Sequence, residues 1–215
     1  MVYIGIDPSL SKTGLCIVDT ALKKIVFYAI TPIKRLDTYT NRLLKSIEIA
    51  DRVLESIIEK LNTPEGGVLI YEEPLVTSMK SSALGILSGV LGSTLYRNID
   101  IPIYTIGPNT VYSMNRTLSK KTGENKKNTS RNVGLEVLQL FKEDGYEVII
   151  DNEGKTRANG KPRERVLTTD EAEAFIMVLY LMIKLNAVSN DIRAGISKIN
   201  RNLIGIYEIN TLRGE

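Results

Sequence analysis

A chain of 215 residues, 43% apolar and 25% charged, fits one ordinary globular domain whose core needs no covalent staples. A single cysteine, Cys16, and no histidine exclude an internal disulfide framework, a cysteine-rich zinc site and any mechanism through Ser-His, Cys-His or a histidine-ligated metal. Catalysis would have to run on carboxylates, lysines, hydroxyls or a cofactor.

In chain order, residues 2–7 and 13–19 are short β-branched runs that read as a hairpin around Ser9, Leu10, Ser11 and Lys12, and residues 25–30 supply a third strand closed by Pro32. Leu43, Ile47, Ala50, Leu54, Ile57, Ile58 and Leu61 recur at three and four, the stripe of an amphipathic helix. A fourth strand begins at Val68 and runs into Tyr71, Glu72, Glu73 and Pro74. Residues 81–97 read as a helix carrying Ala83, Gly85, Gly89 and Gly92, small residues spaced for close packing, and residues 101–106 as a fifth strand. After Pro108 come a short helix, a basic loop and a helix over 128–142. Thr168 opens the last long helix with a capping box to Glu171, and its body, apolar nearly all round, should be buried. The order predicts an α/β fold with a mixed five-stranded sheet, the first three strands antiparallel and the rest joined by parallel crossovers, with helices on both faces.

Residues 1–186 are expected to form this domain, with 146–166 inserted as a basic hairpin or loop and 187–215 as a C-terminal extension holding a candidate strand at 203–209. The net charge of +3 hides an asymmetry. Six cations (Arg116, Lys120, Lys121, Lys126, Lys127, Arg131) stand against Glu124 in one window, and five (Lys155, Arg157, Lys161, Arg163, Arg165) against Glu153 and Glu164 in another. Two solvated loops would account for this, and so would a surface that faces a polyanion. No apolar run reaches the length of about 18 residues needed for a membrane span, and the N-terminus lacks a basic segment followed by an apolar one. A soluble cytoplasmic protein with no membrane partner is expected.

The chemistry gathers on carboxylates. Asp7 ends an apolar strand, Glu72 ends another, and Asp170 and Glu173, three apart, share one face of the last helix. Each has an ordinary structural use on its own: strand-end capping for Asp7, a surface strand end for Glu72, helix-dipole complementarity for Asp170 and Glu171. If the two strands are neighbours, Asp7 and Glu72 lie side by side, and four crowded like charges call for a cation. Mg2+ suits an all-oxygen site, and a pair of such ions about 3.5–4 Å apart can hydrolyse a phosphodiester.

Ile4-Gly5-Ile6-Asp7-Pro8-Ser9 with Thr13-Gly14, then Ile70-Tyr71-Glu72-Glu73-Pro74, then Thr169-Asp170-Glu171-Ala172-Glu173-Ala174-Phe175, resemble the three acidic motifs of RuvC-type Holliday-junction resolvases of the RNase H-like superfamily, over about residues 2–185. The additions at 146–166 and after 186 are more similar to viral and phage members than to short bacterial ones. The resemblance implies an RNase H-like fold and a homodimer that binds branched DNA, the four-way junction above all. It implies paired nicks that leave 5′-phosphate and 3′-hydroxyl ends, made with two Mg2+ ions or with Mn2+ in their place. Carried over by position, Asp7, Glu72, Asp170 and Glu173 are the catalytic metal ligands, Glu173 standing where the family usually has Asp or His. Lys126 or Lys127 falls near a lysine that contacts phosphate, and Lys120, Lys121, Arg157, Lys161, Arg163 and Arg165 complete the expected DNA-binding set. Asp7-Pro8-Ser9 with Thr13-Gly14 is also similar to the first phosphate loop of actin-like kinases, whose second domain and adenosine motifs have no room here. An RNase H-like nuclease for other branched DNA or for RNA/DNA hybrid, and a non-catalytic junction-binding protein, are the other readings.

Overall fold

The structure, a computed structural model, describes residues 1–32, 39–61, 66–73, 81–107, 110, 126–151, 165–199 and 210–213; for 39–40, 60–61, 81–83, 126–129, 210 and 212–213 it describes the backbone alone. The elements are β1 (Val2–Asp7), β2 (Thr13–Asp19), β3 (Lys24–Ile30), α1 (Tyr39–Leu61), β4 (Gly67–Glu72), α2 (Ser81–Asn98), β5 (Ile103–Ile106), α3 (Lys126–Glu143), β6 (Glu147–Ile150), α4 (Thr169–Lys184), α5 (Asn190–Ile199) and β7 (Asn210–Arg213). The β1–β2 hairpin is closed by the buried Thr13, whose hydroxyl donates to the Ser9 carbonyl at 2.9 Å and accepts from the Ser9 amide at 3.1 Å.

All these strands form one sheet in the order β6-β3-β2-β1-β4-β5-β7. β2 is antiparallel to β1 and β3, while β4 is parallel to β1 and β5, so the centre has the expected order and directions. The sheet has seven strands where five were expected. β6 adds in parallel to β3 and β7 antiparallel to β5, satisfying backbone groups that an open sheet edge would leave unpaired. The start of the supposed 146–166 insertion is therefore sheet. Its placement follows from the end of α3, where Gly145 at φ 89° turns the chain, the Tyr146 amide reaches the Phe141 carbonyl at 2.9 Å, and the two rings meet edge to face at 5.0 Å. Residues 152–164 and the candidate strand at 203–209 lie outside the described residues, as does nearly all of the segment expected to hold the short helix after Pro108.

The pleat sorts side chains between two layers. Val2, Ile4, Ile6, Leu15, Ile17, Leu69 and Ile103 pack with α1 and α2; Tyr3, Cys16, Val18, Phe27, Val68 and Ile70 pack with α3, α4 and α5. α4 is buried nearly all round, as its composition requires, because it lies between the sheet and the outer helices. The segment after residue 186 joins that layer: Ile192 and Ile196 of α5 enter the core, and a Cβ on Gly195 would come within 2.7 Å of Leu140 of α3. On α1 the buried arc is Ile49, Ala50, Val53 and Ile57, whereas Leu43, Ile47 and Ile58 of the expected stripe are exposed. The apolar sector of that helix is wider than the arc the sheet covers, so periodicity alone misplaces its centre.

Candidate functional site

β1 and β4 are parallel neighbours, with Ile6 opposite Tyr71. One residue further lie Asp7 and Glu72, both on the face covered by α4 because Tyr3 and Val68, an even number of residues earlier, point there. Two glycines let α4 approach. A Cβ on Gly5 would collide with the Ala174 carbonyl, and one on Gly14, which pairs with Asp7 across β1–β2, would collide with the backbone of Asp170 and Glu171. The missing side chain of Gly14 is what brings the first turn of α4 beside Asp7. Gly14→Ala is expected to lower stability by about 1–3 kcal/mol, as overpacking does, and to separate Asp170 from Asp7. Thermal unfolding and Mn2+ calorimetry measure both effects, and an unchanged Mn2+ affinity would contradict the role given to this contact.

Around that contact the carboxylates converge. Asp7, Asp170 and Glu173 each bring an oxygen within 4.8 Å of the other two. Glu72 stands outside this trio but is near enough to Asp7 for the two carboxyls to shift each other's titration, as a pair sharing one proton does. Asp7 is 6% exposed, and the others are half-buried. Burial, then the charges of Glu72, Glu173 and Asp170, hold the Asp7 carboxyl well above its ordinary range. Glu72 is pushed up to about 7, chiefly by burial and against a lowering effect of proton sharing with Asp7. Every charge that the described residues place on Asp7 is negative, and the donors are hard carboxylate oxygens, so the residues present fit Mg2+ or Mn2+.

Glu73 projects from the opposite side of β4, where it accepts a hydrogen bond from Thr105, which separates it from the cluster. Glu171 also turns away from the cluster. Thr168 and Glu171 form the expected capping box, but Glu171 is fully buried and grips Arg165 through both carboxylate oxygens, at 2.5 and 2.6 Å. Arg165 additionally donates to the Asp151 carbonyl at 2.8 Å. This corrects its place among the expected DNA-facing cations: its fork is turned inward, tying the chain after β6 to the cap of α4. Lys120, Lys121, Arg157, Lys161 and Arg163 lie outside the described residues, as do the side chains of Lys126 and Lys127, although α3 begins at Lys126 rather than near Asn128. Sequence reasoning missed Ser130 on α3, whose hydroxyl donates to Glu173 Oε1 at 2.8 Å. No motif marks it, and only the packing of α3 on α4 reveals it.

No protein-family model matches the chain, and no curated protein matches it. Among solved structures it is similar to RuvC of Thermus thermophilus in complex with a Holliday junction substrate, with a TM-score of 0.47 and 15% identity over 87% of this chain and 98% of that one. It is likewise similar to a Thermus thermophilus RuvC structure, with a TM-score of 0.46 and 18% identity over the same shares. Among the described residues no helix is long and apolar enough to cross a membrane.

Proposed function

We propose that the chain is a metal-dependent, structure-specific DNA endonuclease that resolves four-way junctions by paired phosphodiester hydrolysis. The observation that carries this reading is the convergence of Asp7, Asp170 and Glu173, with the charge of Glu72 acting on Asp7, where β1, β4 and the first turns of α4 meet. The acidic motifs on which that convergence is built supply the junction as substrate through their resemblance to the resolvases. Asp7, Glu72, Asp170 and Glu173 would hold two Mg2+ ions, or Mn2+ in their place. Such ions, when bound, supply an activated water and stabilise the leaving oxygen.

The remaining work falls to the chain's own groups. The backbone amides that open α3 carry no acidic residue in their first turn, while Lys126 and Lys127 occupy it. Basic residues at a helix start oppose its dipole, and a phosphate bound at the amides relieves the opposition. We assign Lys126 and Lys127 to the scissile strand and Lys120, Lys121, Arg157, Lys161 and Arg163 to the arms of the branched DNA, leaving Arg165 to its structural pair.

Two cuts across one junction require two sites related by a two-fold axis, so the active form is a homodimer. α2 offers a face for it: among the described residues a Cβ on Gly85 or Gly89 would meet nothing within 4 Å, whereas Gly92 is taken up by close packing against the Tyr71 hydroxyl. Sedimentation of the free protein and of its junction complex should give the mass of two chains; a single chain in both would remove the dimer. A four-way junction, a Y-structure and an RNA/DNA hybrid compared side by side test the substrate. Paired cuts in the junction are expected with Mg2+ or Mn2+ and none in chelator. Preference for the hybrid or the Y-structure would move the reading to another RNase H-like nuclease, and binding without cutting to a junction-binding protein.

A further inference from the structure

Ser130 lies on the buried side of α3, 3% exposed, and directs its hydroxyl at Glu173 Oε1. The two helices are unusually close there. One turn further along α3, a Cβ on Gly134 would lie 3.1 Å from the Ala172 methyl, so a side chain as short as serine can bridge the gap between α3 and α4. A hydroxyl in such a contact is costly unless bonded, and an alanine would fill the space without it. Glutamate has one more rotatable bond than aspartate, and Glu173, at the rim of the cluster, is the one member of the trio with that extra freedom. A carboxylate can accept about four bonds, so the one from Ser130 fixes its plane and leaves acceptor capacity for the cluster.

We infer that Ser130 is a positioning residue that holds the Glu173 carboxylate in place to bind a divalent cation together with Asp7 and Asp170. The role rests on the proposed reading of Glu173 as a metal ligand. It differs from a helix-packing hydroxyl in what its loss would change: the affinity for the ion, with the fold left intact. Groups that orient metal ligands typically contribute about 10- to 100-fold in metal affinity or activity.

The experiment is Mn2+ calorimetry on the full chain without DNA, comparing the parent with Ser130→Ala, Ser130→Thr and Glu173→Gln, and recording the thermal midpoint of each. Alanine is nearly isosteric with serine and a better helix former, so Ser130→Ala keeps the fold. Ser130→Ala is expected to weaken Mn2+ binding about tenfold with little change in midpoint, and Ser130→Thr, which restores the hydroxyl, to stay within about threefold of the parent. Parent-like affinity in Ser130→Ala while Glu173→Gln binds weakly would overturn the positioning role and leave the site standing. An equally weak Ser130→Thr whose midpoint matches the parent's, so that the added methyl is accommodated, would overturn it as well, by showing that the hydroxyl is not what matters. Parent-like affinity in Glu173→Gln would instead bring down the reading of the site and the role of Ser130 with it.

Discussion

Asp7→Asn is expected to lower metal-dependent cleavage about a thousandfold or more while leaving junction binding unchanged or tighter. Asp7 is the most buried member of the cluster, and Glu72, Glu173 and Asp170 all act on it. An amide keeps the shape but takes away the charge around which the other ligands are arranged, and several kcal/mol of transition-state stabilisation depend on the ions. Removing a negative charge from a surface that meets phosphate cannot weaken that attraction. Single-turnover cleavage and a binding isotherm on the same junction measure the two effects, and near-parental cleavage would reject Asp7 as a ligand.

The same substitution should change how stability depends on pH. Asp7 and Glu72 have raised values in the folded chain, so between their unfolded values near 4 and the folded value of about 7 at Glu72 the folded state binds more protons than the unfolded one. Stability of the metal-free protein therefore falls as pH rises through that window, and the thermal midpoint in chelator should fall with it. Asn at position 7 cannot ionise, so the part of the decline that comes from Asp7 is lost and the slope should be shallower. Mn2+ affinity of the parent should rise over the same interval, because the ion competes with those protons. A midpoint that climbs from pH 5 to 7 in chelator would contradict the crowding inferred here.

Arg165→Ala is expected to destabilise the protein by about 3 kcal/mol or more, a larger effect than a surface arginine has. The substitution leaves Glu171 fully buried with its charge no longer matched, although the amide and hydroxyl of Thr168 still donate to it at 2.8 and 2.7 Å. Glu171→Gln should cost less, since the amide can still accept from Thr168 and Arg165 retains 22% exposure through which to reach water. Its effect on stability nevertheless exceeds the modest one expected of a helix cap, because both oxygens of Glu171 grip a guanidinium. In chemical denaturation both variants should lose midpoint, and cleavage under conditions where each remains folded should stay within a few-fold of the parent. A loss of cleavage matching that of Asp7→Asn at full foldedness would place the pair in the chemistry instead.

The amino-acid sequence by itself determined what short-range physics governs. Short runs of apolar and β-branched residues made β1, β2 and β3, Thr168 and Glu171 set the start of α4, and an apolar sector that encircles α4 required its burial. Placing Asp7 and Glu72 at the ends of apolar strands needed only that those strands be parallel neighbours, which the order of elements implied. The tertiary structure decided what depends on partners distant in the chain. Residues 147–150 read as strand-like along the chain, but that β6 and β7 join the sheet depended on edges with unpaired backbone groups, a condition no local pattern records. α1 buries Ile49 and Val53 in place of Leu43 and Ile47 because the sheet covers one arc of an apolar sector wider than itself. Charge patterning put Arg165 with the DNA-facing cations, but a buried carboxylate six residues on binds it more strongly than a count of lysines and arginines can show. Ser130 and Glu173 are 43 residues apart and meet only because Gly134 lets α3 and α4 touch, a contact set by packing and therefore absent from any pattern along the chain.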